Sequence, residues 1–178
     1  MGMMEMPRRG PETPNVPVQP VSGDGAPCGG RLNLLLSYAG WHPESWVDRL
    51  PRLLEPMGVR SLRANSGRQA SEVLRGNQVH IAVVDLGLPL DENDKSEAHE
   101  GGSRLLDILS RLDQPPPTVV VKSSRSHRDN CREMAAALRA GAFAVIDRPR
   151  DSTDLELLLE VLRRCLRRYY EGRWPGLT

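Results

Sequence analysis

From residue 32 onward the chain alternates short apolar runs with stretches of helical period, and that alternation admits few folds. The runs are 32–36, 59–62, 79–84, 118–121 and 143–146. Several lack polar alternation, the mark of strands covered on both faces of a parallel sheet. Between them, Trp46, Val47, Leu50, Leu53, Leu54 and Met57 form a helical stripe, which Pro51 should kink or confine to a late start. Ser66 and Gln69 read as a capping box ahead of Ala70, Val73 and Leu74. Leu105, Ile108, Leu109 and Leu112 make the third stripe, and Cys131, Met134, Ala135 and Leu138 the fourth, closed by Gly141. The fifth is the clearest: Leu155, Leu158, Leu159, Leu162, Leu166 and Tyr169, with Leu157, Val161 and Cys165 as a second stripe beside it. Strands alternating with helices imply right-handed crossovers and a doubly wound, three-layer α/β fold. The working crevice of such a sheet lies at the carboxyl ends of its strands.

A chain of 178 residues buries enough surface for one domain without disulfides or a structural metal. Its 24 basic and 23 acidic side chains, net +1, give no overall electrostatic pull toward nucleic acid. No stretch approaches the roughly 18 apolar residues of a membrane span. Cys28, Cys131 and Cys165 are odd in number and far apart, which suits a reducing cytoplasm better than a disulfide framework. His42, His80, His99 and His127 show no paired metal-ligand spacing, so no zinc site is expected. Residues 1–30 hold six prolines and six glycines, and read as a disordered tail. The expected organisation is that tail, a domain over 31–170, and a short tail over 171–178.

The ends of the apolar runs gather an unusual set of side chains. The third run leads into Asp85, Leu86, Gly87, Leu88 and Pro89. The fourth passes through Lys122 into Ser123 and Ser124, the fifth passes through Asp147 into Arg148 and Pro149, and the first ends in Ser37 and Tyr38. A carboxylate, a hydroxyl and a guanidinium converging there would suit transfer of a phosphoryl group to an aspartate. That chemistry needs a nucleophilic oxygen, a hydroxyl donor and a cation for the phosphoryl oxygens.

On these residues, the chain from about 32 to 169 resembles the receiver domain of bacterial two-component response regulators. Residues 53–85 follow that pattern without a gap, ending Val83-Val84-Asp85 and running on into Leu86-Gly87-Leu88-Pro89. The stretch 141–149, Gly-Ala-Phe-Ala-Val-Ile-Asp-Arg-Pro, is similar to the family's closing stretch, which ends in Lys-Pro. The resemblance implies a flavodoxin-like (βα)5 sheet in the order 2-1-3-4-5. It also implies Asp85 as phosphoacceptor position, Ser123 as switch hydroxyl and Arg148 as the cation that contacts phosphate.

The departures from the pattern carry equal weight. The family ends its first strand in two acidic residues that help hold Mg²⁺; Ser37 and Tyr38 stand there instead. Mg²⁺ demands near-octahedral oxygen ligands, usually with carboxylates, so it is expected to bind weakly, and no other cofactor is expected. Arg148 replaces a lysine, and its planar fork could clasp Asp85 bidentately. Val145 replaces the switch aromatic. Extra residues follow Pro89, with five carboxylates between Asp91 and Glu100, and the connection 39–44 carries Trp41 and His42.

The expected function is therefore that of an atypical, stand-alone receiver acting as a protein–protein signalling module rather than an enzyme. Its partners would be a histidine kinase, a phosphotransfer protein or a downstream effector. The alternatives are a working single-domain regulator phosphorylated on Asp85, and a pseudo-receiver that binds a small molecule. Arg163, Arg164, Arg167 and Arg168 read as charges complementing the last helix's dipole, or as a docking edge for an acidic partner. Pairing of two copies through the fourth and fifth helices is expected, and direct DNA or membrane binding is not.

Overall fold

The computed structural model describes residues 31–39, 46–91, 100–122 and 127–173, the side chains of 127–130 excepted. Among the described residues, five strands alternate with five helices: β1 Leu32–Ser37, α1 Trp46–Leu54, β2 Val59–Ala64, α2 Gly67–Gly76, β3 Ile81–Asp85, α3 Glu100–Ser110, β4 Thr118–Lys122, α4 His127–Arg139, β5 Ala144–Asp147 and α5 Ser152–Tyr170. All strand pairs are parallel, in the order β2-β1-β3-β4-β5. This is the flavodoxin-like doubly wound sheet.

The period of two along each strand divides the core between the two faces. Leu32, Leu34, Leu36, Val83, Val119 and Val121 pack against Val47, Leu50 and Leu54 of α1 and Leu155, Leu158 and Leu162 of α5. Leu35, Ala82 and Val84 point the other way, onto Ala70 of α2 and Leu105 and Leu109 of α3. Val120 completes that second face against Ala137 of α4. Both faces are covered, which is why β1 and β3 show no polar alternation. Each fully buried leucine contributes about 1.5–3 kcal/mol of transfer free energy.

The local signals act where the sequence puts them. Ser66 Oγ accepts from the Gln69 amide at 3.2 Å, and Gln69 Oε1 reaches back to the Asn65 amide at 2.8 Å, one residue before the cap. Asp151 caps α5 by accepting from the Asp154 amide at 2.9 Å. Cys165 lies fully inside the core, and its burial pushes the thiol up to about 12.

Some expectations need correction. α1 runs from Trp46 to Leu54 with Pro51 inside it, so the proline does not mark a late start of the helix. The apolar stripe of α4 does not face the sheet: Cys131 and Ala135 are exposed, and Met134 and Leu138 are 38% and 51% exposed. The buried contact comes from Ala137, with Ala140 partly covered, because α4 approaches Leu86, Leu106 and Val120 through its smallest side chains. Leu157 and Tyr169 of α5 are likewise open, at 57% and 42%. β5 starts at Ala144, although the Phe143 amide still bonds to the Thr118 carbonyl at 2.8 Å. The expected tail over 1–30 and most of the final tail lie outside the described residues.

Candidate functional site

β3 delivers Asp85 to the carboxyl edge of the central strand, where its side chain is only 2% exposed. β5 ends one residue before Arg148, whose amide bonds to the Lys122 carbonyl at 2.9 Å and fixes the strand end beside β4. From there the guanidinium turns back across the sheet. Its Nη2 donates to both oxygens of Asp85, at 2.8 Å to Oδ1 and 2.7 Å to Oδ2. The clasp is thus made by a single nitrogen rather than by the two-armed fork expected from the sequence, and Arg148 Nε is buried without a hydrogen-bond partner among the described residues.

Two backbone amides complete the hold. Gly87 donates to Oδ1 at 2.8 Å and Ala39 to Oδ2 at 3.3 Å. A buried carboxylate would be costly alone; a guanidinium and two amides offset its desolvation. Gly87 is also what leaves room for the cation, since a Cβ there would stand 2.8 Å from Arg148 Nη2 and 3.2 Å from Asp85 Oδ1.

Ser37 and Tyr38, which stand where the resemblance places acids, serve other ends. The Ser37 hydroxyl is fully buried and donates to the Val83 carbonyl at 3.0 Å, inside the sheet. Tyr38 packs its ring against the core shared with α1 and α5, and its amide bonds to Ala64 at 3.0 Å. Mg²⁺ needs oxygen ligands with free lone pairs and anionic charge. Asp85 already accepts four hydrogen bonds, Ser37 is committed to backbone, and no group of three or more metal-binding side chains occurs among the described residues. These described residues do not fit that ion. Ser123, Trp41, His42 and most of the acidic stretch from Asp91 to Glu100 lie outside the described residues.

Sequence reasoning missed two features. Lys122 closes β4 with its side chain 6% exposed, and its Nζ lies 2.6 Å from Asp147 Oδ1 on β5, directly opposite in register. A second ion pair therefore stands at the same edge, and β5 supplies one partner of each through the neighbours Asp147 and Arg148. Cross-strand register is what joins them, and no sequence spacing records it. The other feature is the pair Gly101 and Gly102 at the start of α3. A Cβ on Gly102 would lie 2.3 Å from the Asp85 carbonyl oxygen, and one on Gly101 2.2 Å from that of Pro89. The adjacent glycines ahead of the Leu105 stripe were the legible signal for so close an approach.

No protein-family model matches the sequence, and no curated protein matches it either. Solved structures do. A response regulator receiver domain protein from Methanospirillum hungatei, 19% identical, superposes with a TM-score of 0.58 over 80% of this chain and 100% of its own. The signal receiver domain of an HD domain-containing protein from Pseudomonas fluorescens is 24% identical, with a TM-score of 0.57 over 78% of this chain and 96% of its own. A response regulator from Burkholderia pseudomallei is 22% identical, with a TM-score of 0.54; the match covers 74% of this chain and 66% of that longer one. The chain has the fold of a response-regulator receiver domain.

Proposed function

We propose that this protein is an atypical receiver domain, a protein–protein signalling module in a two-component pathway whose phosphoacceptor position, Asp85, is held by Arg148. The observation that carries the reading is the occupied carboxylate. An aspartate that attacks phosphorus must offer a free oxygen lone pair and, in this chemistry, a divalent cation to neutralise the transferring group. Here Arg148 Nη2 lies against both oxygens, and the neighbouring positions 37 and 38 bring no carboxylate. The cation supports the acid structurally and leaves little room for Mg²⁺. Output then runs through surfaces that contact a histidine kinase, a phosphotransfer protein or an effector, and through self-pairing of α4 and α5.

Incubation with acetyl phosphate and Mg²⁺, followed by intact-mass measurement, tests this. The expected result is no stoichiometric phosphoryl increment. A second reading, a regulator phosphorylated on Asp85, draws on the Burkholderia pseudomallei neighbour, whose structure holds a phosphorylated aspartic acid and a calcium ion. A stoichiometric adduct that disappears in Asp85→Asn would establish that reading and end the first.

A further inference from the structure

A cleft of about 550 Å³ lies between α2 and α3, and neither Asp85 nor Arg148 lines it. It is closed at the end where the two helices begin. The Gly67 and Arg68 amides bond to the Pro89 and Leu90 carbonyls at 2.9 and 3.1 Å, tying the start of α2 to the segment that leaves β3. Gly67 and Gly101 come so close there that a Cβ on Gly67 would stand 3.4 Å from the Gly101 Cα. Arg68 spans the rim, 3.7 Å from Glu72 on its own helix and 3.6 Å from Asp91. A peptide laid along the groove has no way out through that end, whereas a compact ligand needs only the open one.

From the closed end the two walls advance with the helical period. Gly67, Ser71 and Arg75 follow one another along α2, and Gly101, Arg104 and Ile108 along α3. Arg75 stands about 12 Å along its helix from Gly67, and Arg104 about 4.5 Å along its own from Gly101. Both side chains are exposed, and neither has an ion-pair partner among the described residues, unlike Arg68. Two uncompensated guanidinium groups therefore border the cleft from opposite walls, staggered along its length. Between them the lining is hydrocarbon, with Leu105 buried and Ile108 left open. The Ser71 hydroxyl donates to the Gly67 carbonyl at 2.9 Å, so its proton is already committed. No aromatic ring lines the cleft, which removes the surface on which a nucleotide base would stack. A single phosphate group would satisfy one guanidinium and leave the other bare. Two carboxylates parted by methylene groups satisfy both, and their carbon chain meets Leu105 and Ile108.

We infer that the cleft between α2 and α3 binds a short aliphatic dicarboxylate, with one acid on Arg75 and the other on Arg104. The test is titration calorimetry of the full chain with adipate, compared with hexanoate, the same carbon chain carrying one acid. Saturable binding is expected, with adipate at least about tenfold tighter than hexanoate, the worth of one added charge-assisted hydrogen bond. Arg75→Gln and Arg104→Gln are each expected to weaken adipate by about tenfold, to the level of hexanoate, without lowering the melting temperature, since both side chains are exposed. Arg132→Gln, on the neighbouring groove between α3 and α4, is expected to leave the affinity unchanged. Four outcomes overturn the inference: no saturable binding, equal affinity for hexanoate, an equal loss from Arg132→Gln, or tighter binding of inorganic phosphate, adenosine monophosphate or polyglutamate than of adipate.

Discussion

At the scale of single residues, the pair of Asp85 and Arg148 decides how the crevice behaves. A buried ion pair gains little over apolar packing, yet removing one partner strands the other in low dielectric. Arg148→Ala is expected to cost about 3 kcal/mol in urea denaturation, because the Gly87 and Ala39 amides alone remain on the carboxylate. The double variant Asp85→Asn with Arg148→Met should recover much of that loss; a double variant no more stable than Arg148→Ala would mean the charge is not what suffers. His80 offers a second residue-scale forecast. Its Nδ1 accepts from the Asn33 amide at 2.9 Å, so the ring is neutral there, and burial lowers its affinity for a proton. The unfolded chain takes up that proton near pH 6.5 while the folded chain resists, so stability falls as pH drops below about 6.5. Melting temperatures across that range should show the decline, and His80→Asn should flatten it.

At the scale of elements, α3 sits as close as it does because its first turn has no side chains in the way. Gly101 and Gly102 let the helix rest on the backbone that leaves β3, and this supports the turn in which Leu88 bonds back to Asp85 at 3.1 Å. A methyl group at Gly102 must push α3 away from a backbone oxygen that cannot yield. Gly102→Ala is expected to destabilise by about 1–3 kcal/mol despite alanine's better helix propensity. Chemical denaturation measures it, and a neutral or stabilising result would show that α3 shifts without cost. α4 has the reverse character, holding the sheet through alanines and presenting its larger apolar groups outward.

At the scale of the molecule, those outward groups give the domain an open apolar surface on α4 and α5. Met134 and Leu138 of α4 and Leu157 of α5 remain open, which favours the proposed self-pairing through these helices. Light scattering at micromolar concentration should return a mass of two protomers, and Leu138→Glu with Leu157→Glu should return one. A mass of one protomer for the unaltered protein would remove self-pairing from the reading.

The sequence by itself determined the alternation of strand and helix, the capping of α2 and the placement of Asp85, Arg148, Ser37 and Tyr38 at strand ends. These follow from periodicity and from the position of a residue relative to an apolar run, both local properties. The strand order was legible only through the resemblance to receiver domains. Tertiary structure alone decided the rest. The single-nitrogen clasp on Asp85, the pairing of Lys122 with Asp147 and the approach of Gly102 to the β3 turn depend on register and on distances across the sheet, to which the linear order is blind. The face that α4 turns inward was settled the same way: Ala137, and not Met134 or Leu138, meets the sheet, because close packing rewards fit as well as hydrophobicity.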